Sequence, residues 1–248
     1  MLTTDVAPGV HRLAHAYVNC YLVEGDDGRL TIVDTGLPDT WSLLGHAVRA
    51  LGRRPDDVAA VVLTHAHFDH TGSAAAAQRR LGVPIWVHPE DATLAAHPYQ
   101  YLHERPRAAY PVRHPLGLVP LTAMLAAGAW RVPGVTGTTP IPTGGTLPVP
   151  GSPVVVLSPG HTLGHVALHL PDRDALLSGD ALVTLDPYTY GRGPQIVAGA
   201  ATADSAQALA SLDALAATGA SVVLPGHGDP WTDGIGSAVE HARHVGPH

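Results

Sequence analysis

The residues of this chain best suited to chemistry stand together in the segment HAHFDH, residues 65–70, directly after an apolar run. Imidazole and carboxylate groups bind zinc, iron and manganese readily. Alternate residues of an extended segment project to the same side, so we expect His65 and His67 to face one way. A turn then carries Asp69 and His70 to a second point. A single metal ion cannot easily take all four, so the spacing predicts two metals if other strand ends supply further ligands.

Other apolar runs end in the same kinds of side chain. The pattern of a buried strand followed by a histidine occurs three times: VVLTH at 61–65, VVLSPGH at 155–161 and VVLPGH at 222–227. A further run, DALLSGD, ends in Asp180. These runs predict strands whose carboxyl ends deliver His161, Asp180 and His227 to a common rim with the first motif.

The elements between these motifs predict a mixed α/β fold. The first third alternates like antiparallel strands and contains an Asp27-Gly28 hairpin turn. A helix is expected from Thr40, as its N-cap, to Gly52, as its stop. Further helices are expected in TGSAAAAQRRLG and DSAQALASLDALAATG, and further strands in VPIWVHP, TLPVPGSPVVVL and HVALHLP. The order of hairpins and βα units suggests two similar halves.

Residues 97–145 differ from the rest of the chain. They are rich in proline, contain several aromatic residues, show no strand alternation and predict one helix near LGLVPLTAMLAAGA. Loops of this length in compact domains are usually functional covers. We therefore expect a single domain over residues 1–248, with an insertion at about 97–145 that covers the active site.

The composition argues against several classes of function. The net charge is −7 and the fourteen basic residues are scattered arginines, whereas nucleic-acid binding normally needs a basic stripe. No apolar stretch approaches the roughly 20 residues that span a bilayer. The first residues lack a basic start followed by an apolar run, so no signal peptide is expected. The expected partner is a small-molecule substrate in the cytoplasm, without nucleic acid or membrane, and no pattern specifies an oligomeric state.

Taken in order, five motifs resemble the signature of the metallo-β-lactamase superfamily. They are IVDTG at 32–36, HAHFDH at 65–70, PGHTLGH at 159–165, SGD at 178–180 and PGHG at 225–228. The resemblance covers nearly the whole chain and implies an αβ/βα sandwich of four layers. It also implies a binuclear centre in which two triads each hold one metal and one aspartate bridges them: His65, His67 and His161 for metal 1, Asp69, His70 and His227 for metal 2, and Asp180 as the bridge.

Residues around this centre are expected to support it. By the same resemblance, Asp34 orients a ligand imidazole, and a turn-forming VDTG is the plain structural alternative. His165 either lies beside the ligands or simply packs. Tyr188 and Tyr190 follow the bridging aspartate and are candidates for substrate contact, with aromatic packing as the alternative.

The implied cofactor is a pair of divalent metal ions that hold a bridging hydroxide, whose pKa falls toward about 7. Zinc is the first expectation for a ligand set of nitrogen and oxygen without thiolate, with iron or manganese as alternatives. The expected reaction is hydrolysis of an ester, thioester or lactone of a small, partly apolar substrate. Asp69 and Asp180 are expected to hold the hydroxide and its proton. Asp180 argues against a true β-lactamase, and the chain resembles glyoxalase II-like and lactonase-like members.

Two alternatives from other classes stay open at this point. One is an oxidoreductase similar to persulfide dioxygenases, which keep similar ligands but use a single iron. The other is a non-catalytic metal-binding module. The complete set of ligand residues argues against the second alternative, because a decayed site would have lost at least one of them.

Overall fold

The computed structural model describes residues 1–248, and two β-sheets form its centre. The larger sheet has seven strands in chain order, antiparallel from β1 to β4 and parallel from β4 to β7. Its strands are β1 (Leu2–Ala7), β2 (Val10–His15), β3 (Val18–Glu24), β4 (Leu30–Val33), β5 (Val58–Val62), β6 (Ile85–Val87) and β7 (Thr139–Pro140).

The smaller sheet repeats part of this arrangement. Its order is β13-β10-β9-β8, antiparallel from β8 to β10 and parallel between β10 and β13. A separate two-stranded ribbon pairs β11 with β12. These strands are β8 (Val154–Leu157), β9 (Val166–Leu170), β10 (Ala175–Gly179), β11 (Val183–Leu185), β12 (Arg192–Gln195) and β13 (Val222–Pro225). Each sheet therefore joins an antiparallel hairpin to a parallel strand, as expected for two similar halves.

Eight α-helices accompany the strands: α1 (Thr40–Ala50), α2 (Phe68–Thr71), α3 (Ala74–Leu81), α4 (Ala92–Ala96), α5 (Tyr110–Arg113), α6 (Leu118–Ala126), α7 (Ser205–Ala216) and α8 (Gly234–Val245). The helix α1 connects the parallel strands β4 and β5, and α7 lies in the connection between β10 and β13. None of these helices has the length and hydropathy needed to cross a bilayer.

Three apolar cores hold the layers together. Residues of the two sheets, including Val62 and Leu168, pack against one another between the sheets. Leu44 of α1 packs on the outer face of the larger sheet, and Leu212 of α7 packs on the outer face of the smaller one. Burial of each such side chain stabilises the fold by ~1.5–3 kcal/mol. The result is helix, sheet, sheet and helix in succession, which confirms the predicted αβ/βα sandwich.

Several local expectations need correction. The helix α1 begins at Thr40, with Asp39 at the cap position, because the Thr40 hydroxyl accepts a hydrogen bond from the Leu37 amide at 3.1 Å instead of capping the helix. The segment expected to lack strands contributes β7, which pairs with β6 at the sheet edge. The ribbon of β11 and β12 and the helix α8 were not predicted.

Candidate metal centre

The seven predicted ligand residues come from the carboxyl ends of strands in both sheets. The segment after β5 carries the first four of them, and β8, β10 and β13 lead into the other three. All seven are at most 7 % exposed. They are His65, His67, Asp69, His70, His161, Asp180 and His227. Strands that run the same way end at the same edge of a sheet, so residues far apart in sequence arrive at one rim.

The structure arranges these side chains in overlapping triads. In each triad the ligand atoms lie within 4.8 Å of one another. The triads are His65 with His67 and His161, Asp69 with His70 and His227, and His65 with His70 and Asp180. The first two have the same membership as the two predicted metal sites, and the third joins one to the other.

Asp180 lies between the two groups of imidazoles. Its Oδ2 atom is 3.1 Å from His227 Nε2 and 3.5 Å from His161 Nε2. Its Oδ1 atom is 3.5 Å from His70 Nε2. One carboxylate therefore approaches nitrogens of both triads, which is the position a bridging ligand would need.

Polar atoms in this cluster lack the partners that buried groups normally have. His65 Nε2, His67 Nε2 and Asp180 Oδ1 are buried and form no hydrogen bond. His161 Nε2 faces His67 Nδ1 at 3.0 Å, nitrogen to nitrogen. Orphaned buried polar atoms are rare and costly in folded proteins. Divalent cations would satisfy these atoms, so the donor set fits a metal centre.

The protonation preferences of the imidazoles fall into two groups. Burial lowers the pKa of His65, of His161 and of His67, the last to about 4, which leaves these rings neutral and able to donate a lone pair. Burial also opposes a charge on His70, but the nearby carboxylates, Asp180 foremost, outweigh burial and raise its pKa to about 9.

The carboxylate at the centre has a matching preference. Burial would raise the pKa of Asp180, but the charges on His227 and His70 hold that pKa well below its usual range. A buried carboxylate needs a cationic partner. Bound metal ions would take the place of the protons on these imidazoles, since metal binding releases ligand protons.

Asp34 lies behind the imidazole of His70, one of the predicted ligands. Its Oδ2 atom is 2.9 Å from His70 Nδ1 and accepts from the Thr64 hydroxyl at 2.8 Å, while its Oδ1 accepts from the Thr64 amide at 2.8 Å. With Nδ1–H donating to Asp34, His70 turns its Nε2 toward the cluster. Similar bonds hold two other rings: His227 Nδ1 donates to Tyr17 O at 2.8 Å, and His161 Nδ1 is 3.3 Å from Thr202 Oγ1.

His165 acts on the backbone and not on the ligand atoms. Its Nε2 accepts from the amides of Asp180 at 3.0 Å and Ala181 at 3.1 Å. Its Nδ1 is 2.8 Å from Ser158 Oγ. Burial lowers the pKa of His165 to about 3, in keeping with a neutral ring that accepts at Nε2. His165 therefore fixes the turn that presents Asp180.

Comparison with known proteins agrees with this geometry. The profile of the family described as "Metallo-beta-lactamase superfamily" matches residues 15–227. The chain belongs to this superfamily. It is 25% identical over 239 residues to the probable metallo-hydrolase YflN of Bacillus subtilis (strain 168), with 92% of this chain and 87% of that protein covered. It is 24% identical over 208 residues to an N-acyl homoserine lactonase of Bacillus thuringiensis, with coverages of 75% and 68%.

Solved structures of the superfamily share the fold. A metallo-beta-lactamase family protein of Thermus thermophilus, TTHA1429, superimposes with a TM-score of 0.69 at 29% identity, over 96% of this chain and 79% of that one. A second protein, TTHA1623, crystallised in a di-iron-bound form, gives 0.62 at 27% identity, with coverages of 94% and 98%. The chain is thus a metallo-hydrolase-like superfamily member whose histidine and aspartate cluster suits divalent metal ions.

The metallo-β-lactamase fold of this chain leaves a very small cavity above the cluster. Its volume is about 10 Å³, which is room for about one water molecule. The ligand residues form one side of it. Apolar side chains form much of the other side: Phe68 from α2, Leu121 and Met124 from the 97–145 insertion, and Val197 and Ala201 from the loop before α7.

The two candidate tyrosines lie in different places. Tyr188 lines the cavity and its hydroxyl is 3.1 Å from that of Tyr101. Tyr190 lies beside Tyr17, with ring centroids 6.3 Å apart, and is not among the residues that line the cavity. Tyr101 packs against a predicted ligand, with its ring centroid 4.2 Å from that of His67.

A further carboxylate, Asp91, has no counterpart among the sequence predictions. It accepts hydrogen bonds from the amide of Ala66 at 3.0 Å, the hydroxyl of Thr162 at 2.8 Å and the amide of Gly164 at 2.8 Å. Ala66 lies between two ligand histidines, and Thr162 directly follows His161. One buried side chain therefore ties together the two loops that carry the first triad. Its segment, PED after a strand, looks in sequence like any exposed acidic turn.

Proposed function

We propose that this protein is a binuclear metallo-hydrolase that cleaves an ester, thioester or lactone bond of a small, partly apolar substrate. The observation that carries the proposal is the position of Asp180, whose Oδ2 atom approaches one imidazole of each triad, His161 and His227. A carboxylate between two triads suits two metals and not one. We propose zinc as the metal, since the set has no thiolate, while iron and manganese accept the same donors.

Divalent metals bound by these residues would supply an activated water and polarise the substrate carbonyl. The protein's own groups account for the rest. His65, His67 and His161 are neutral donors on one side, and Asp69 offers a carboxylate on the other. Asp69 lines the cavity, and its Oδ2 lies toward His227 and His70, which leaves Oδ1 to accept the proton of the attacking water.

The apolar side chains above the cluster and one relative support the proposed substrate. A largely apolar wall favours a substrate with an apolar portion beside the reacting carbonyl. The relationship to an N-acyl homoserine lactonase supports a lactone or a similar acyl substrate. We also propose that the reaction takes place in the cytoplasm, that a small molecule is the only partner, and that neither nucleic acid nor membrane takes part. Cell fractionation followed by immunoblotting tests the location.

Hydrolysis by zinc-reconstituted protein across a lactone, a thioester, an aryl ester, a β-lactam and a phosphodiester tests the function. Asp180→Asn is expected to lower kcat/KM by about 10²–10³-fold, because it removes one charge and one ligand oxygen from the centre. Asp172→Asn is the matched control, since Asp172 is exposed on a turn outside the cluster. Circular dichroism of both variants shows whether the fold survives.

Turnover of one acyl substrate that is lost only in Asp180→Asn supports the proposal. Full activity in Asp180→Asn contradicts it. One bound iron per chain together with oxygen-dependent turnover of a persulfide points instead to the mononuclear oxidoreductase. Folded protein that binds two metals and is inert toward every compound points to a metal-binding module.

A further inference from the structure

A second cavity adjoins the small cavity above the metal cluster and shares lining residues with it. Its volume is about 170 Å³, whereas the cavity above the cluster measures only about 10 Å³. Both are lined by Tyr101 and His161. Since a cavity of about 150 Å³ is large enough to bind benzene, the outer cavity has room for a group of about six carbon atoms.

The outer cavity has an apolar part that faces solvent. Leu94, Leu102, Leu163 and Ala203 contribute apolar lining. Leu102 and Leu163 are 61% and 47% exposed. Exposed large apolar side chains that gather around a concave site are typical of ligand binding, because an apolar ligand group removes their surface from water.

Tyr101 lines both cavities and is held by several contacts. Its ring packs on that of His67, its hydroxyl contacts that of Tyr188, and the guanidinium of Arg107 lies 4.0 Å from its ring centroid. The backbone at residues 101–103 belongs to no helix or strand. Movement of this side chain therefore breaks the hydroxyl contact, the cation–π contact and the ring contacts with His67 and Phe68, but no sheet or helix hydrogen bond.

We propose that the outer cavity binds a short linear acyl or alkyl group of the substrate, while the scissile carbonyl enters the inner cavity past Tyr101. The inference rests on the proposed hydrolase function and names its substrate class: straight-chain acyl esters or thioesters, or lactones that carry such a chain. Leu102 and Leu163 contact the acyl chain, and the position of the Tyr101 ring determines how wide the opening between the two cavities is.

The test compares hydrolysis of acetyl, butanoyl, hexanoyl and decanoyl thioesters by the zinc-loaded protein. Leu163→Trp fills the outer cavity and is expected to lower the ratio of hexanoyl to acetyl kcat/KM by about tenfold, the size of effect that one or two methylene contacts give. Leu157→Trp is the matched control, because Leu157 is also an exposed leucine but does not line this cavity. It is expected to leave that ratio unchanged.

Tyr101 is tested with the same series. Tyr101→Ala joins the two cavities and is expected to move the preferred chain toward decanoyl. Tyr101→Phe keeps the ring and is expected to keep the hexanoyl preference. A chain-length profile that is the same in Leu163→Trp, Leu157→Trp and the unchanged protein overturns the inference, as does a Tyr101→Ala profile that does not shift.

A binding measurement separates this inference from the proposed function. If the unchanged protein hydrolyses neither these thioesters nor any ester or lactone of the earlier panel, the proposed function fails, and calorimetric titration with hexanoate and acetate still tests the cavity. Hexanoate binding that Leu163→Trp weakens about tenfold, with Leu157→Trp unaffected, supports the cavity. Equal binding by both variants, or no preference for hexanoate over acetate in the unchanged protein, overturns it.

Discussion

The rim that carries the metal-ligand candidates and the 97–145 insertion above it are built in opposite ways. Rim residues follow the ends of strands from both sheets and are almost wholly buried. The insertion consists of short helices and turns and a two-residue strand. It also contains eight of the eleven exposed large apolar side chains, so it presents most of the large apolar surface of the molecule to solvent.

This difference assigns separate tasks to the two regions. A site on strand ends is held by the hydrogen bonds and cores of both sheets, which suits groups that must stay within fractions of an ångström of one another. An insertion made of short helices and turns can change in sequence without disturbing the sheets. We infer that the rim determines which reaction occurs and that the insertion determines which substrate reaches it.

The largest effect is expected where the rim tolerates no extra atom. A Cβ atom on Gly226 would lie 2.1 Å from Asp180 Oδ1 and 2.8 Å from His70 Cε1. Gly226→Ala must therefore displace Asp180 or His70, and we expect at least about 10²-fold lower activity with reduced metal content by atomic absorption. Gly236→Ala in α8 is the control, since nothing lies within 4 Å of its added Cβ. It should raise stability by ~0.5–1 kcal/mol. Normal metal content and activity in Gly226→Ala would show that the rim is adaptable.

A second effect of similar origin is expected at Asp91. Removal of its carboxylate in Asp91→Ala leaves the amides of Ala66 and Gly164 without acceptors, at a cost of ~1–3 kcal/mol for each buried donor. Because these amides flank the first triad, metal affinity should fall about 10–100-fold, measured by competition with a chelator. Asp91→Asn keeps one acceptor oxygen and should lose less. Unchanged affinity in both variants would mean that the two loops hold their positions without this link.

The rim could be predicted from sequence because each ligand candidate carries its own local signal. An apolar run that ends in histidine or aspartate identifies both the strand and the side chain at its end, and the order of five motifs does the rest. Asp34 shows the same logic, since VDTG ends a buried strand. The sequence does not show which carboxylates form hydrogen bonds to loops that are distant along the chain. Asp91 bonds to Thr162 and Gly164, which are 71 and 73 positions further along the chain, and nothing near Asp91 indicates that contact.

The 97–145 insertion and the helix α8 were less predictable for a related reason. The helix α8 begins with GIGS, and glycine is a poor helix former. One face of this helix nevertheless lies in the core under the smaller sheet, through Ile235, Val239 and Ala242. This packing stabilises the helix in spite of its glycines. Tyr101 lies in a segment without regular structure, so no periodicity indicates that its ring reaches His67. Tertiary contacts of this kind become visible only in the fold.

A moderate effect is expected from pH on the metal-free protein. His67 and His165 have pKa values of about 4 and about 3 in the fold because of burial, against 6.5 for an exposed imidazole. As the pH falls from 6.5 toward 4, the unfolded chain therefore binds more protons than the folded chain does. Each of the two groups then lowers the free energy of unfolding by ~1.4 kcal/mol per pH unit. Urea unfolding across this range measures the slope. His165→Gln should flatten it, whereas the exposed His97→Gln should not; equal slopes in both would contradict the role of burial.

The smallest effect separates the two tyrosines that the sequence could not distinguish. Tyr188→Phe removes the partner of the buried Tyr101 hydroxyl, which costs ~1–3 kcal/mol and should alter kcat/KM by about five- to tenfold, because the lost bond borders the cavity. Tyr190→Phe should stay within about twofold, since Tyr190 lies beside Tyr17 and Arg192 outside the cavity. Steady-state kinetics on the preferred substrate measures both. A large effect at Tyr190 with none at Tyr188 would place substrate selection on the surface next to Tyr17. That result would contradict the inference that the 97–145 insertion determines which substrate reaches the cluster.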